Sequence, residues 1–208
     1  MSLTRAEVLT RKYRTLLNRY GINTPLRLAH FWGNCFHESR LELVRENMNY
    51  SAKRLIEVFK RRLDRNRDGF LSEQEKQKVR EIVGNPIKIA NFVYGNRMGN
   101  GGENTNDGWN FRAGGFMGLT FRNNYEALSR DTKIDFISNP DIINQEANAI
   151  LSAAWFWHTN NLNRWDDRDD TDGVADVINI GRKTNTIGDA NGYADRKKHV
   201  DHYKKIFK

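Results

Sequence analysis

Apolar residues recur at helical spacing along most of the chain, which predicts a mainly α-helical fold. Residues 3–20 form a first amphipathic helix, with Val8, Tyr13, Leu16, Leu17 and Tyr20 as its apolar stripe and Gly21 as its stop. Thr24-Pro25 is a start signal, a hydroxyl N-cap followed by proline at the first helical position. The helix it opens carries Leu28, Ala29, Phe31, Trp32, Cys35 and Phe36 and is apolar all round, so it is expected at the centre of the fold. It runs into His37-Glu38-Ser39. Ser51 caps a helix over 52–63 with Leu55, Ile56, Phe59 and Leu63 on its buried side. Further helices are predicted over 73–83 and 87–94. Residues 95–125 are rich in Gly and Asn with interspersed aromatics. They read as irregular backbone with a short β-element, the kind of segment that carries binding sites. A helix then runs from Asn124-Tyr125 to Arg130, and Asn139-Pro140 opens a turn. Residues 144–158 are strongly apolar and end in Trp155-Phe156-Trp157, expected as core rather than as a sugar platform. Helices over 174–182 and 195–207 complete the chain. No repeat, low-complexity tract or linker divides it, so residues 1–208 read as one domain with an insertion at 52–83.

Two polar features interrupt this pattern. The first is a pair of glutamates. Glu38 closes the apolar helix beside Trp32, Cys35 and Phe36, surroundings that would keep its carboxyl protonated near neutrality. Glu46 lies between Arg45 and Asn47 and is expected to stay ionised. Such a division suits an inverting glycosidase. Two glutamates eight apart, in a chain with 26 acidic residues, equally fit a helix cap and a surface charge.

The second feature is DRNRDGFLSEQE at 64–75, which matches the twelve-residue EF-hand loop at every defining position. Asp64, Asn66 and Asp68 stand first, third and fifth, and Gly69 stands sixth, where the sharp turn falls. Phe70 offers its carbonyl, Ser72 is ninth, and Glu75 is twelfth, where a bidentate carboxylate belongs. A structural Ca²⁺ is expected there, and no catalytic metal. The competing reading is a charged turn between helices. The acidic run 165–176 (Asp170, Asp172 and Asp176 around Gly173) resembles a second such loop. Arg168 occupies the first ligand position, however, so the run is expected to be a solvated turn that caps the helix at 174–182.

Charge narrows the partners. The net charge is +8 and it is uneven: residues 1–80 carry 18 Lys/Arg against 9 Asp/Glu, the remainder 16 against 17. A basic half suits an anionic polymer, and no nucleic-acid motif is present. No apolar run is long enough to span a membrane, and the first residues lack the apolar core of a secretion signal. A chain folded in a cytoplasm is expected, in keeping with a single cysteine, Cys35, read as a core residue rather than a nucleophile. His30, His37, His158, His199 and His202 show no zinc-site spacing, which argues against an amidase or a metallopeptidase.

Taken in order, FHES (36–39), ENMNYSAKRLIEVF (46–59), IANFVYGNRMGN (89–100), DGWNFRAGGFMGLTFRNNY (107–125), NPDII (139–143), SAAWFW (152–157) and GYADR (192–196) resemble glycoside hydrolase family 19, the chitinase-like lysozymes that include many bacteriophage endolysins. The resemblance implies a two-lobed, lysozyme/chitinase-like α-helical domain with a central cleft, here with an EF-hand-like helix-loop-helix added. It implies inversion by a single displacement, with Glu38 as general acid, Glu46 as the second carboxylate and Thr120 helping to hold the attacking water. Tyr50, Trp109, Asn124, Asn179 and Arg196 match positions that line the family cleft. The pattern departs from the family at Gly114 and Gly118, where an Arg and a Gln are usual, and this points away from chitin. The expected protein is a monomeric endolysin that cleaves the β-1,4 bonds of peptidoglycan. It would be held in the host cytoplasm until lysis and then act on the periplasmic wall, with no nucleic-acid partner and no stable membrane insertion. A chitinase of the same family and a non-catalytic, calcium-dependent wall-binding protein are the alternatives.

Overall fold

The computed structural model describes residues 3–208 and is mainly α-helical, as the periodicity predicts. Its helices are α1 (Arg5–Lys12), α2 (Arg14–Arg19), α3 (Pro25–Ser39), α4 (Ala52–Leu63), α5 (Glu73–Ile82), α6 (Pro86–Tyr94), α7 (Asp107–Asn110), α8 (Arg122–Thr132), α9 (Glu146–Thr159), α10 (Asn163–Asp166), α11 (Thr171–Ile180) and α12 (Tyr193–Ile206), with a 3₁₀ turn at Pro140–Asn144. The β content among the described residues is one isolated bridge between Gly114 and Leu119.

Local chemistry sets the helix starts. The Thr24 side chain accepts from the Arg27 N–H, with Pro25 behind it in the first turn. Ser51 and Asn85 cap α4 and α6 in the same way. Ser72 and Glu75 form a reciprocal capping box on α5, satisfying N–H groups that the helix itself leaves unpaired. The first predicted helix differs. The backbone breaks at Tyr13 (φ −111°, ψ 25°), giving α1 and α2 in place of one element. Ala6, Leu9 and Leu17 are buried, whereas Val8, expected inside, is exposed, because at about 100° per residue it faces away from Leu17.

The chain divides into two compact units, each drawn from separate stretches of sequence. The first comprises residues 1–44, 114–119 and 142–208; the second comprises 45–113 and 120–141. In the first unit α3 packs along α12. The approach is so close that a Cβ on Gly33 would lie 2.8 Å from the Val200 Cα, so glycine is required there. Phe31, Trp32, Cys35, Phe116, Ala153 and Trp157 fill the core around them. Trp155 and Trp157 are buried, so the aromatic end of α9 is core, as expected. Cys35 is a free, fully buried thiol whose pKa burial pushes well up, which suits packing and not nucleophilic attack. In the second unit Leu55, Leu63, Val79, Ile82, Ile89 and Phe92 make the core, with Leu71 of the 64–75 loop packed against it.

The acidic run after Trp165 departs from the expected solvated turn. Asp170 does cap its helix, accepting from the Gly173 N–H. Asp166, Asp172 and Asp176, however, are buried. Asp166 accepts from the Trp157 indole N–H at 3.0 Å, and burial pushes its pKa up to about 8. Asp172 and Asp176 share the Lys183 ammonium. The cation that lets these carboxylates be buried comes from eleven residues beyond Asp172 and seven beyond Asp176, which a local reading of the run does not reveal. Among the described residues no helix is long and apolar enough to cross a membrane.

Candidate functional site

The residues singled out in sequence fall into two sets, one in each unit. Glu38, Asn179 and Arg196 belong to the first unit; Glu46, Tyr50, Trp109, Thr120, Asn124 and the whole 64–75 loop belong to the second.

In the first unit the last turn of α3 presents Glu38. The chain leaves this helix through two left-handed residues, Arg40 (φ 53°) and Leu41 (φ 57°), and Ser39 ties the turn down by donating to the Phe116 carbonyl at 3.1 Å. Glu38 is one-quarter exposed, and its Oε1 receives the Arg196 Nη2 at 2.5 Å. Arg196 itself is 2% exposed. Its other donors go to Asn34 Oδ1 at 3.1 Å and to the Asn191 carbonyl at 3.3 Å. The Asn191 N–H in turn donates to Asn179 Oδ1. Glu38, Arg196, Asn34, Asn191 and Asn179 thus form one hydrogen-bonded chain that fixes the carboxylate. A second tie lies beside it: His37 Nδ1 is 2.7 Å from Asp195 Oδ2. The His37 ring packs so tightly on Gly192 (φ +73°) that a Cβ there would approach it to 2.5 Å. Glu38 therefore meets a guanidinium, not only the apolar surroundings its sequence neighbours suggest; Trp32 and Cys35 themselves are buried in the core.

In the second unit Glu46 follows α3 on extended backbone and its N–H donates to the Ala113 carbonyl at 3.1 Å. Its Oε2 accepts from the Tyr94 hydroxyl at 2.7 Å. Burial pushes the Glu46 carboxyl above its ordinary value, even against the Tyr94 hydrogen bond. Arg45 stands next to it in sequence. This neighbour does not hydrogen-bond Glu46; its guanidinium donates to the carbonyls of Asn110, Arg112, Ala113 and Pro140 and to Asp141. Arg45 thereby staples the backbone that Glu46 lies on. Burial also raises the hydroxyls of Tyr94 and Tyr50, with the Glu46 charge adding to the effect in both. The Arg112 guanidinium lies 3.6 Å over the Trp109 ring and donates to the Trp109 carbonyl. Thr120 is half-buried, and its carbonyl accepts from Asn124 Nδ2 at 2.7 Å. Tyr50 is half-buried, edge-on to Phe59 at 5.2 Å. Tyr94 and Arg45 had no signal in the sequence that marked them. A tyrosine 48 residues from Glu46 and an arginine that bonds to four carbonyls are visible only once the chain is folded.

The departure at Gly118 has a backbone reason. Residues 114–119 close a tight turn, with Leu119 N–H donating to the Gly114 carbonyl at 2.8 Å, and both Gly115 (φ +70°) and Gly118 (φ +61°) are left-handed. A glutamine at 118 would be strained in this turn.

The predicted metal residues remain on one loop. Among the described residues no three acidic, histidine or cysteine side chains gather into a ready ion cage.

No family model matches the chain. The chain is similar to a glycosyl hydrolase family 19 domain-containing protein of Haemophilus influenzae, 30% identical over 142 residues. The match spans 68% of this chain and 66% of the relative's length. This likeness supports a family-level assignment to glycoside hydrolysis.

Proposed function

We infer that the chain is a glycoside hydrolase of family 19, and we propose that it is an endolysin cleaving the β-1,4 bonds of peptidoglycan with inversion. The observation that carries this reading is the contrast in how the two glutamates are held. Glu38 is fixed by a buried arginine, and Glu46 is desolvated beside a tyrosine hydroxyl. General acid–base catalysis asks for two carboxyls kept in different environments. We assign protonation of the leaving glycosidic oxygen to Glu38 because it stands in the His37-Glu38-Ser39 segment that matches the family's acid; Arg196 fixes its direction, and its proton must be held against that ion pair. We assign activation of water to Glu46, assisted by the Thr120 hydroxyl. Tyr50, Trp109, Asn124 and Asn179 are assigned to sugar contacts, and Arg196 to holding the acid. The basic N-terminal half suits an anionic wall polymer, and glycine at 114 and 118 removes side chains that chitin-cleaving relatives would place there. The protein acts as a monomer that reaches the wall at host lysis from the cytoplasm.

The test is digestion of purified Gram-negative peptidoglycan by the wild type and by Glu38→Gln. New reducing ends that disappear in the variant are expected, and mass spectrometry of the fragments names the bond. New free amines in place of reducing ends would overturn glycosidase chemistry. Faster release of reducing ends from chito-oligosaccharides than from peptidoglycan would make the protein a chitinase. Tight wall binding with neither product would make it a binding protein.

A further inference from the structure

The 64–75 loop plays no part in the chemistry above, yet it contains an orphaned charge. Asp64 closes α4 and is only 6% exposed. Its Oδ2 accepts from the Gly69 N–H at 2.9 Å across the loop, which turns the carboxyl inward. Its Oδ1 is buried and has no hydrogen-bond partner. A buried carboxylate oxygen without a donor or a cation is costly, and the two helices flanking the loop leave nothing of their own to satisfy it. The loop does not supply that cation, although arginines stand at 65 and 67.

The other ligand candidates are close by in sequence but occupied. Asp68 accepts from the Phe70 N–H and from the Asn66 amide, each at 2.8 Å. Glu75 accepts from the Arg65 N–H at 2.7 Å and from the Ser72 N–H and hydroxyl at 2.9 and 2.8 Å. These are backbone and neutral donors, and rotation of a side chain releases them. Gly69 holds φ +89° with open space around it, so the turn is set by conformation and not by crowding. The Phe70 ring is 79% exposed, leaving its carbonyl as the part of the residue that serves the loop.

We propose that residues 64–75 bind one Ca²⁺, with Asp64 Oδ1 as the preformed ligand and Asp68 and Glu75 turning in to complete an all-oxygen shell. Asn66 and the Phe70 carbonyl supply neutral oxygens, and Ser72 lies at the position usually filled through water. A flexible shell of six to eight oxygens favours Ca²⁺ over Mg²⁺, which demands tighter octahedral geometry. Binding draws Glu75 off the Arg65 and Ser72 amides. The ion therefore takes over from the capping box in joining α4 to α5, whose residues Leu63, Val79 and Ile82 belong to the second unit's core.

The test uses the full chain with the metal alone. Calorimetric titration of Ca²⁺ should give one site, with Kd on the order of 10⁻⁴ M for a single unpaired hand. Saturation should raise Tm by roughly 5 °C, whereas Mg²⁺ should not. Amide resonances of Arg65, Gly69 and Ser72 should shift first in the titration. Glu75→Gln keeps an acceptor for the cap and should cost at least tenfold in affinity; Asp64→Asn should abolish binding. Phe70→Trp should sensitise bound Tb³⁺, and Ca²⁺ should displace it. No heat and an unmoved Tm at millimolar Ca²⁺ would overturn the site. So would binding undiminished in Glu75→Gln, which also covers the case in which Asp64→Asn fails to fold. An equal response to Mg²⁺ would overturn the assignment to calcium.

Discussion

Glu38 and Glu46 are the same residue type eight positions apart, yet the protein treats them in opposite ways. The first keeps a charged partner, Arg196, which is more buried than the carboxylate it holds. The second is half-buried, but its partner is a neutral hydroxyl, Tyr94, and its lost hydration raises its pKa. A carboxylate answered by a guanidinium is positioned firmly, because the ion pair and its hydrogen bonds fix direction as well as charge. A carboxylate answered by burial is poised to change its proton occupancy, because desolvation penalises the ionised form. The difference separates a carboxylate fixed in direction by an ion pair from one whose charge burial disfavours.

Several variants break or sharpen this contrast. Glu38→Gln should cause the largest effect, a fall in kcat of about 10³-fold with the fold retained, since the amide oxygen still accepts from Arg196; kinetics paired with circular dichroism checks it. Arg196→Met should follow. It leaves Glu38 without its cation and cuts the link to Asn34, and a loss of about 2–3 kcal/mol in denaturant unfolding is expected, less than for a fully buried pair because Glu38 is partly solvated. Tyr94→Phe removes a hydrogen bond that favours the ionised Glu46, so the acid limb of kcat/KM should move to higher pH. A limb that stays put would break the assignment of that limb to Glu46. The smallest effect belongs to the stability of Glu46→Gln. The Glu46 pKa is raised in the folded protein. Over the window from the ordinary carboxylate value up to the raised one, the folded state holds a proton that the unfolded chain has lost. Stability therefore falls as pH rises through that window. The variant should flatten this slope in thermal melts taken across it, by an amount below that of the Arg196 change.

What could be read ahead of the structure follows the reach of the interactions. Thr24-Pro25, Ser51 and Ser72 are contacts within three residues of their partners, so the helices they start were legible from spacing. The apolar run ending at Glu38 was legible for the same reason. The environment of Glu38 was not, because Arg196 lies 158 residues further along the chain. The surroundings of Glu46 were not legible either: Arg45 is adjacent in sequence but directs its guanidinium at backbone carbonyls and Asp141. The solvated appearance of Asp172 and Asp176 misled in the same manner, since Lys183 makes burial tolerable. The kink at Tyr13 left no mark in composition, and Val8 is exposed because helical spacing turns it away from Leu17.

The packing of α3 on α12 sets an order of events during synthesis. The second unit has all of its residues once the ribosome has released position 141, whereas the first unit lacks half of its central helix pair until α12 emerges. Until then the face of α3 at Gly33 has no Val200 to close on, and Glu38 has no Arg196. A nascent chain therefore carries the proposed acid long before it carries the arginine that fixes it, and Glu38 gains its fixed position only once α12 has been made.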